Sequence, residues 1–120
     1  PFLRRLPQAG NRQFSFSGSW SVKLRPKGFH VNHVHSEGWI SSASYISLPN
    51  TMLDDSSHSG CIKFGESALL LEEREVVERI IRPTAGQLVL FPSYTWHGTY
   101  GFEGDASQFR LTAPFDVVPG

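Results

Sequence analysis

"FSFSGSWSVKLR", residues 14 to 25, sets Phe14, Phe16, Trp20, Val22 and Leu24 on one face of an extended chain and serine or lysine on the other. A period of two is that of a half-buried strand, so the chain reads as β from its first regular stretch. The turn Pro26, Lys27, Gly28 ends it. Working outward, "GWISSASYISLP" (38 to 49) is a second strand, small on one side at Ser41 and Ala43, with Tyr45 further along that side. Small residues beside an aromatic suggest a lined cavity. "GCIKFGES" (60 to 67), "QLVLFP" (87 to 92), "HGTYGF" (97 to 102) and "SQFRLTAPFDVV" (107 to 118) complete the strands, with Gly and Pro punctuating between them.

Only "ALLLEEREVVER" (68 to 79) has helix-forming composition, and its apolar positions fit one helical face imperfectly; Val76, Val77, Ile80 and Ile81 serve an edge strand equally well. "NTMLDDSSHSG" (50 to 60) is a polar surface loop with a solvated His58. Short strands without a βαβ rhythm predict a mainly β sandwich or barrel, and a double-sheet jelly roll leaves an open mouth for a ligand.

The 120 residues fit one domain, 1–120, with a single core. Eleven basic residues balance eleven acidic ones. No footprint for nucleic acid or an anionic membrane is present, which leaves a small-molecule or peptidyl substrate as the expected partner. Cys61 is the lone cysteine, so an internal disulfide and a cysteine-rich metal site are excluded. No apolar run has the length of a membrane span, and "PFLRRLPQAG" (1 to 10) lacks a signal-peptide core. A soluble, cytoplasmic protein is expected, and a start at Pro1 suggests a domain taken from a longer chain.

Three of the five histidines fall within "FHVNHVHSEGW" (29 to 39). In an extended segment His33 and His35 project to the same face, with Val34 on the other. Two neutral imidazoles aimed at one point are a chelate, which iron, zinc, copper and nickel all accept. An isolated pair is equally consistent with solvated side chains, so a third ligand decides. His97, after an apolar strand, is available for a sheet to bring back. His30, at odd separation from His33, falls on the opposite face unless a bulge intervenes. Arg110, Thr112 and Pro114 share one face of the last strand region. A buried arginine is costly unless it meets an anion, its planar fork suits a carboxylate, and Thr112 can add a hydroxyl; alternation alone leaves open whether that face is the buried one.

HxH, a distant histidine, and an arginine thirteen residues later with a hydroxyl residue two positions on together resemble the Fe(II)- and 2-oxoglutarate-dependent dioxygenases, and within them a bacterial-type branch. The resemblance runs through "GSWSVKLRPKGFHVNHVHSEGWISSASYISLP", "GCIKFGES", "GQLVLFPSYTWHGTYGFEGD" and "RLTAPFDVVP", roughly residues 17 to 119. It implies a double-stranded β-helix (jelly roll) with Fe(II), 2-oxoglutarate and O2 as cofactor and co-substrates. Hydroxylation of a substrate would accompany release of succinate and CO2. It also implies that His33 and His97 are iron ligands, that Arg110 and Thr112 hold the far carboxylate of 2-oxoglutarate, and that Tyr45 lines the pocket. The chain departs from the family where His35 stands in place of the usual Asp or Glu; a three-histidine site would include His35, and Glu37 or His30 are the local substitutes. Trp39, Tyr45, Tyr94 and Trp96 are candidates for shaping the pocket. The competing readings are a cupin-type metal enzyme, against which Tyr94 replaces a motif glycine, and a non-catalytic ligand-binding β-sandwich.

Overall fold

The computed structural model describes residues 13–53 and 56–120. The opening "PFLRRLPQAG" lies outside the described residues, as do Asp54 and Asp55 of the polar loop. Nine strands are present among them: β1 (Phe14–Ser19), β2 (Val22–Leu24), β3 (Ile40–Ser47), β4 (Ile62–Phe64), β5 (Arg79–Ile81), β6 (Leu88–Pro92), β7 (His97–Thr99), β8 (Arg110–Thr112) and β9 (Phe115–Pro119). The only helical pieces described are two single 3-10 turns, Asn50–Met52 and Glu72–Arg74. No described helix is long and apolar enough to cross a membrane.

Six strands form one sheet, ordered β1-β9-β3-β8-β2 with β6 also paired to β3; β5-β4-β7 form a second. All pairings are antiparallel. β3 is the hub: its first half lies between β6 and β9, and its second half passes to β8. The last strand region is therefore two strands, broken at Ala113 and Pro114, because Pro114 cannot donate to a ladder. β1 and β2 repeat the break opposite, where the Trp20 amide donates to the Pro114 carbonyl at 3.2 Å. Two facing, curled sheets of this kind make the jelly roll expected from the strand spacing.

The core lies between the sheets. Ile62 and Phe64 of β4 meet Phe91 of β6, with Ala43, Ile81 and Val89 packed around them. Phe64 and Phe91 make an edge-to-face pair at 5.1 Å between ring centres, and Phe91 lies 4.6 Å from the His97 ring. The apolar core thus forms the floor beneath His97.

Two local expectations are corrected. Residues 14–25 do not form one half-buried strand: a register shift falls between Phe16 and Gly18, and Phe14 and Phe16 are 59% and 61% exposed. Among the described residues β1 is an edge strand paired with β9 alone, and its phenylalanines pack on one another and on Phe115 at 5.9 and 5.4 Å. Residues 68–79 form no α-helix; they contain one 3-10 turn and then enter β5 at the edge of the smaller sheet. Leu70 and Glu72 have positive φ, which interrupts any helical run, so the edge-strand alternative for Ile80 and Ile81 is the one realised.

One close approach organises the site. His33 and His97 exchange both backbone hydrogen bonds, at 2.9 and 3.0 Å, as a directly opposed antiparallel pair. Two residues on, Thr99 donates not to Val31 but to the carbonyl of His30, at 3.0 Å. Val31 and Asn32 therefore oppose the single residue Gly98, which is a β-bulge. A Cβ on Gly98 would lie 2.4 Å from Asn32 Oδ1 and 3.0 Å from the His30 carbonyl. Gly98→Ala is expected to cost about 1–3 kcal/mol, read as a fall of several degrees in Tm; an unchanged Tm would show that the bulge relaxes freely.

Candidate metal centre

Cross-strand pairing brings His33 and His97 face to face, with ring centres 4.2 Å apart, and the two-residue step brings His35 to the same point, 5.0 Å from His33 and 5.2 Å from His97. One donor nitrogen from each lies within 4.8 Å of the others.

The second nitrogen of each ring fixes the tautomer. His33 Nδ1 lies 2.7 Å from the Val31 carbonyl, His97 Nδ1 lies 3.0 Å from the Thr95 carbonyl, and His35 Nδ1 lies 2.6 Å from Asp116 Oδ2. Carbonyl and carboxylate oxygens only accept, so each Nδ1 carries the proton and each neutral ring presents a bare Nε2. His33 Nε2 and His35 Nε2 are nevertheless only 3.1 Å apart. Two facing lone pairs at that distance repel unless a proton or a cation lies between them. The spacing is that of neighbouring ligands on one ion held at about 2.1 Å. Imidazoles oriented through their far nitrogens by carbonyls and a carboxylate are the usual surroundings of metal-binding histidines.

Burial keeps the His97 ring neutral. It lowers His97 to a pKa of about 4, with His33 and His35 nearby adding to the shift and the Thr95 carbonyl opposing it. His30 is likewise lowered to about 4, by burial first and then by the Arg110 charge and His33.

Asp116 was not singled out by the motifs. It is a buried carboxylate on β9, and its Oδ1 has no hydrogen-bond partner. The available signal was a carboxylate inside the apolar run "PFDVV", where alternation sets it on the face opposite Phe115 and Val117. Asp116→Ala is expected to lower metal affinity by roughly 10- to 100-fold, measured by titration with Fe(II) or Co(II) under anaerobic conditions; an unchanged affinity would mean that His35 orients itself.

The three histidines open into a pocket of about 110 Å³ whose walls include Tyr45, Thr112 and Arg110. At about 30 Å³ per water that volume holds roughly four waters, which is room for a small ligand and not for a polymer. Arg110 is 2% exposed, so its face is the buried one. Its Nη1 reaches the Gly60 carbonyl only at 3.5 Å, and its Nε has no partner. Burial lowers its pKa, against a smaller opposing effect of Tyr45, and raises the Tyr45 hydroxyl to about 12. Among the described residues the ion pairs are His35 with Asp116 and Lys63 with Glu66, so no carboxylate neutralises Arg110. An arginine buried this way is costly, and an anionic ligand in the pocket would repay it.

Of the other candidates, Glu37 is exposed and outside the histidine cluster. His30 lines the pocket but is not one of the converging donors. Trp39, Tyr94 and Trp96 are not among the pocket walls, whereas Trp20 is, stacked on His35 with ring centres 6.0 Å apart. Trp20 was read as part of a packed strand face; the break between β1 and β2 turns it toward the site. Cys61 is buried and its thiol pKa is raised by burial, so it is not a reactive thiol.

The family described as "Putative 2OG-Fe(II) oxygenase" matches residues 18–116, a span that contains all three histidines, Arg110 and Asp116. The chain belongs to this family. No curated protein matches the chain. Among solved structures, an oxidoreductase of the 2OG-Fe(II) oxygenase family from Burkholderia pseudomallei superposes with a TM-score of 0.68 at 9% identity, over 92% of this chain and 48% of that one. A prolyl-4-hydroxylase from Pseudomonas putida superposes with a TM-score of 0.55 at 19% identity, over 93% of this chain and 55% of that one. At such identities the likeness is one of fold. This 2OG-Fe(II) oxygenase domain spans about half the length of both neighbours.

Proposed function

We propose that the domain is a non-haem Fe(II)- and 2-oxoglutarate-dependent oxygenase that hydroxylates a substrate C–H bond, with His33, His35 and His97 as the iron ligands. The observation that carries this reading is the meeting, in one pocket, of three bare imidazole nitrogens with a buried arginine that has no anionic partner. Iron, when bound, supplies coordination positions for the keto-acid end of 2-oxoglutarate and for O2. The chain's own residues supply the rest. Arg110 binds the far carboxylate, with Thr112 adding a hydroxyl donor. Tyr45 keeps a protonated phenol beside Arg110. Asp116 holds His35 in the Nδ1–H tautomer, and the Val31 and Thr95 carbonyls do the same for His33 and His97. Phe91 and Ile62 keep the floor dry.

A three-histidine set lacks the anionic ligand usual in this family, and Asp116 offers its negative charge one hydrogen bond away instead. A cupin-type centre or a passive metal-binding module would use the histidines but has no need of Arg110. The test is succinate formation from 2-oxoglutarate by the iron-loaded protein, followed with and without O2. Succinate that requires Fe(II), 2-oxoglutarate and O2 is expected. Its absence, together with absence of a visible charge-transfer band on adding 2-oxoglutarate to the anaerobic Fe(II) protein, would overturn the reading.

A further inference from the structure

Resting on that reading, we infer that His30 is a positioning residue for the co-substrate, its imidazole donating a hydrogen bond to the keto-diacid between Arg110 and the histidine cluster. Three observations carry it. First, the bulge opposite Gly98 turns His30 away from the outward face that strict alternation would give it, so that its ring lines the same pocket as His33, Tyr45 and Arg110. Second, its backbone is held on both sides: the His30 amide donates to Thr99 Oγ1 at 2.8 Å, and its carbonyl accepts from the Thr99 amide at 3.0 Å. Thr99 is itself buried, so the backbone from which the ring projects is anchored. Third, the ring nitrogens have no hydrogen-bond partner among the described residues, although the other three site histidines each have one. The His30 ring centre lies 6.4 Å from that of His33, and it is not one of the converging donors.

The His30 ring nitrogens are not among the buried polar atoms that lack a partner, so they open to the pocket and are free to bond a ligand there. A ligand spanning from Arg110 to His33 would pass within reach of that ring and exchange its water for a charge-assisted hydrogen bond. Carboxylates take up several donors, and the Arg110 fork saturates only part of that capacity.

The test is an anaerobic titration of the Fe(II)-loaded protein with 2-oxoglutarate, read by the charge-transfer band, beside a separate measurement of Fe(II) affinity without 2-oxoglutarate. His30→Ala is expected to raise the 2-oxoglutarate Kd about tenfold, which is a loss of about 1.4 kcal/mol. His30→Gln, which keeps a donor, is expected to recover most of that, and both variants to bind Fe(II) within about twofold of the parent. An unchanged 2-oxoglutarate Kd in His30→Ala overturns the inference and leaves the proposed function standing. Parallel loss of Fe(II) affinity also overturns it, by making His30 part of the metal centre. No band in the parent protein overturns the proposed function, and this inference falls with it.

Discussion

Arg110→Met is expected to weaken 2-oxoglutarate binding by at least about 30-fold while leaving Fe(II) affinity within about twofold. Truncating one partner of a buried, hydrogen-bonded charge pair costs about 2–5 kcal/mol, and the lower bound converts to that factor. Arg110 is placed to make such a pair only with a ligand, because its Nε has no protein partner and no described carboxylate pairs with it. The same fact sets the sign of a second effect. Methionine has similar length and no charge to bury, so the ligand-free variant is expected to be at least as stable as the parent. Weaker 2-oxoglutarate binding with an unchanged or raised Tm is the signature of a ligand-binding arginine. A fall in both would instead make Arg110 a structural element held by the Gly60 carbonyl.

His35→Ala is expected to abolish stoichiometric Fe(II) binding, as His33→Ala and His97→Ala should. The loss should exceed the roughly 10- to 100-fold that follows when an orienting partner such as Asp116 is removed. The reason is geometric: His35 Nε2 stands 3.1 Å from His33 Nε2 with its other nitrogen committed to Asp116, and among the described residues no fourth donor joins the cluster to replace it. Iron content measured after desalting the reconstituted proteins checks this. Full iron content in His35→Ala beside an empty His33→Ala would remove His35 from the ligands.

Fold class was legible because period two is a local property. The alternation through residues 14–25 and the Gly and Pro punctuation both pointed to short strands, and short strands they are. The composition of residues 68–79 misled toward a helix because propensity is a weak prior beside edge pairing with β4 and the positive φ of Leu70 and Glu72. Phe14 and Phe16 misled toward burial because a strand's pattern says which residues share a face, not whether another layer covers it.

The site divides the same way. The HxH spacing by itself put His33 and His35 on one face, and the spacing of Arg110 and Thr112 put those two on another. What only the tertiary structure decided was everything that depends on register between strands far apart in the chain. Pairing of His33 with His97 closed the cluster, and the bulge against Gly98 brought His30 into the pocket. The position of β8 between β3 and β2 made the Arg110 face the inner one, and β9 set Asp116 behind His35. Side-chain direction along a strand follows from the bond geometry of neighbouring residues, whereas register is set by the summed burial and hydrogen bonding of two segments at once, and neither segment alone contains that information.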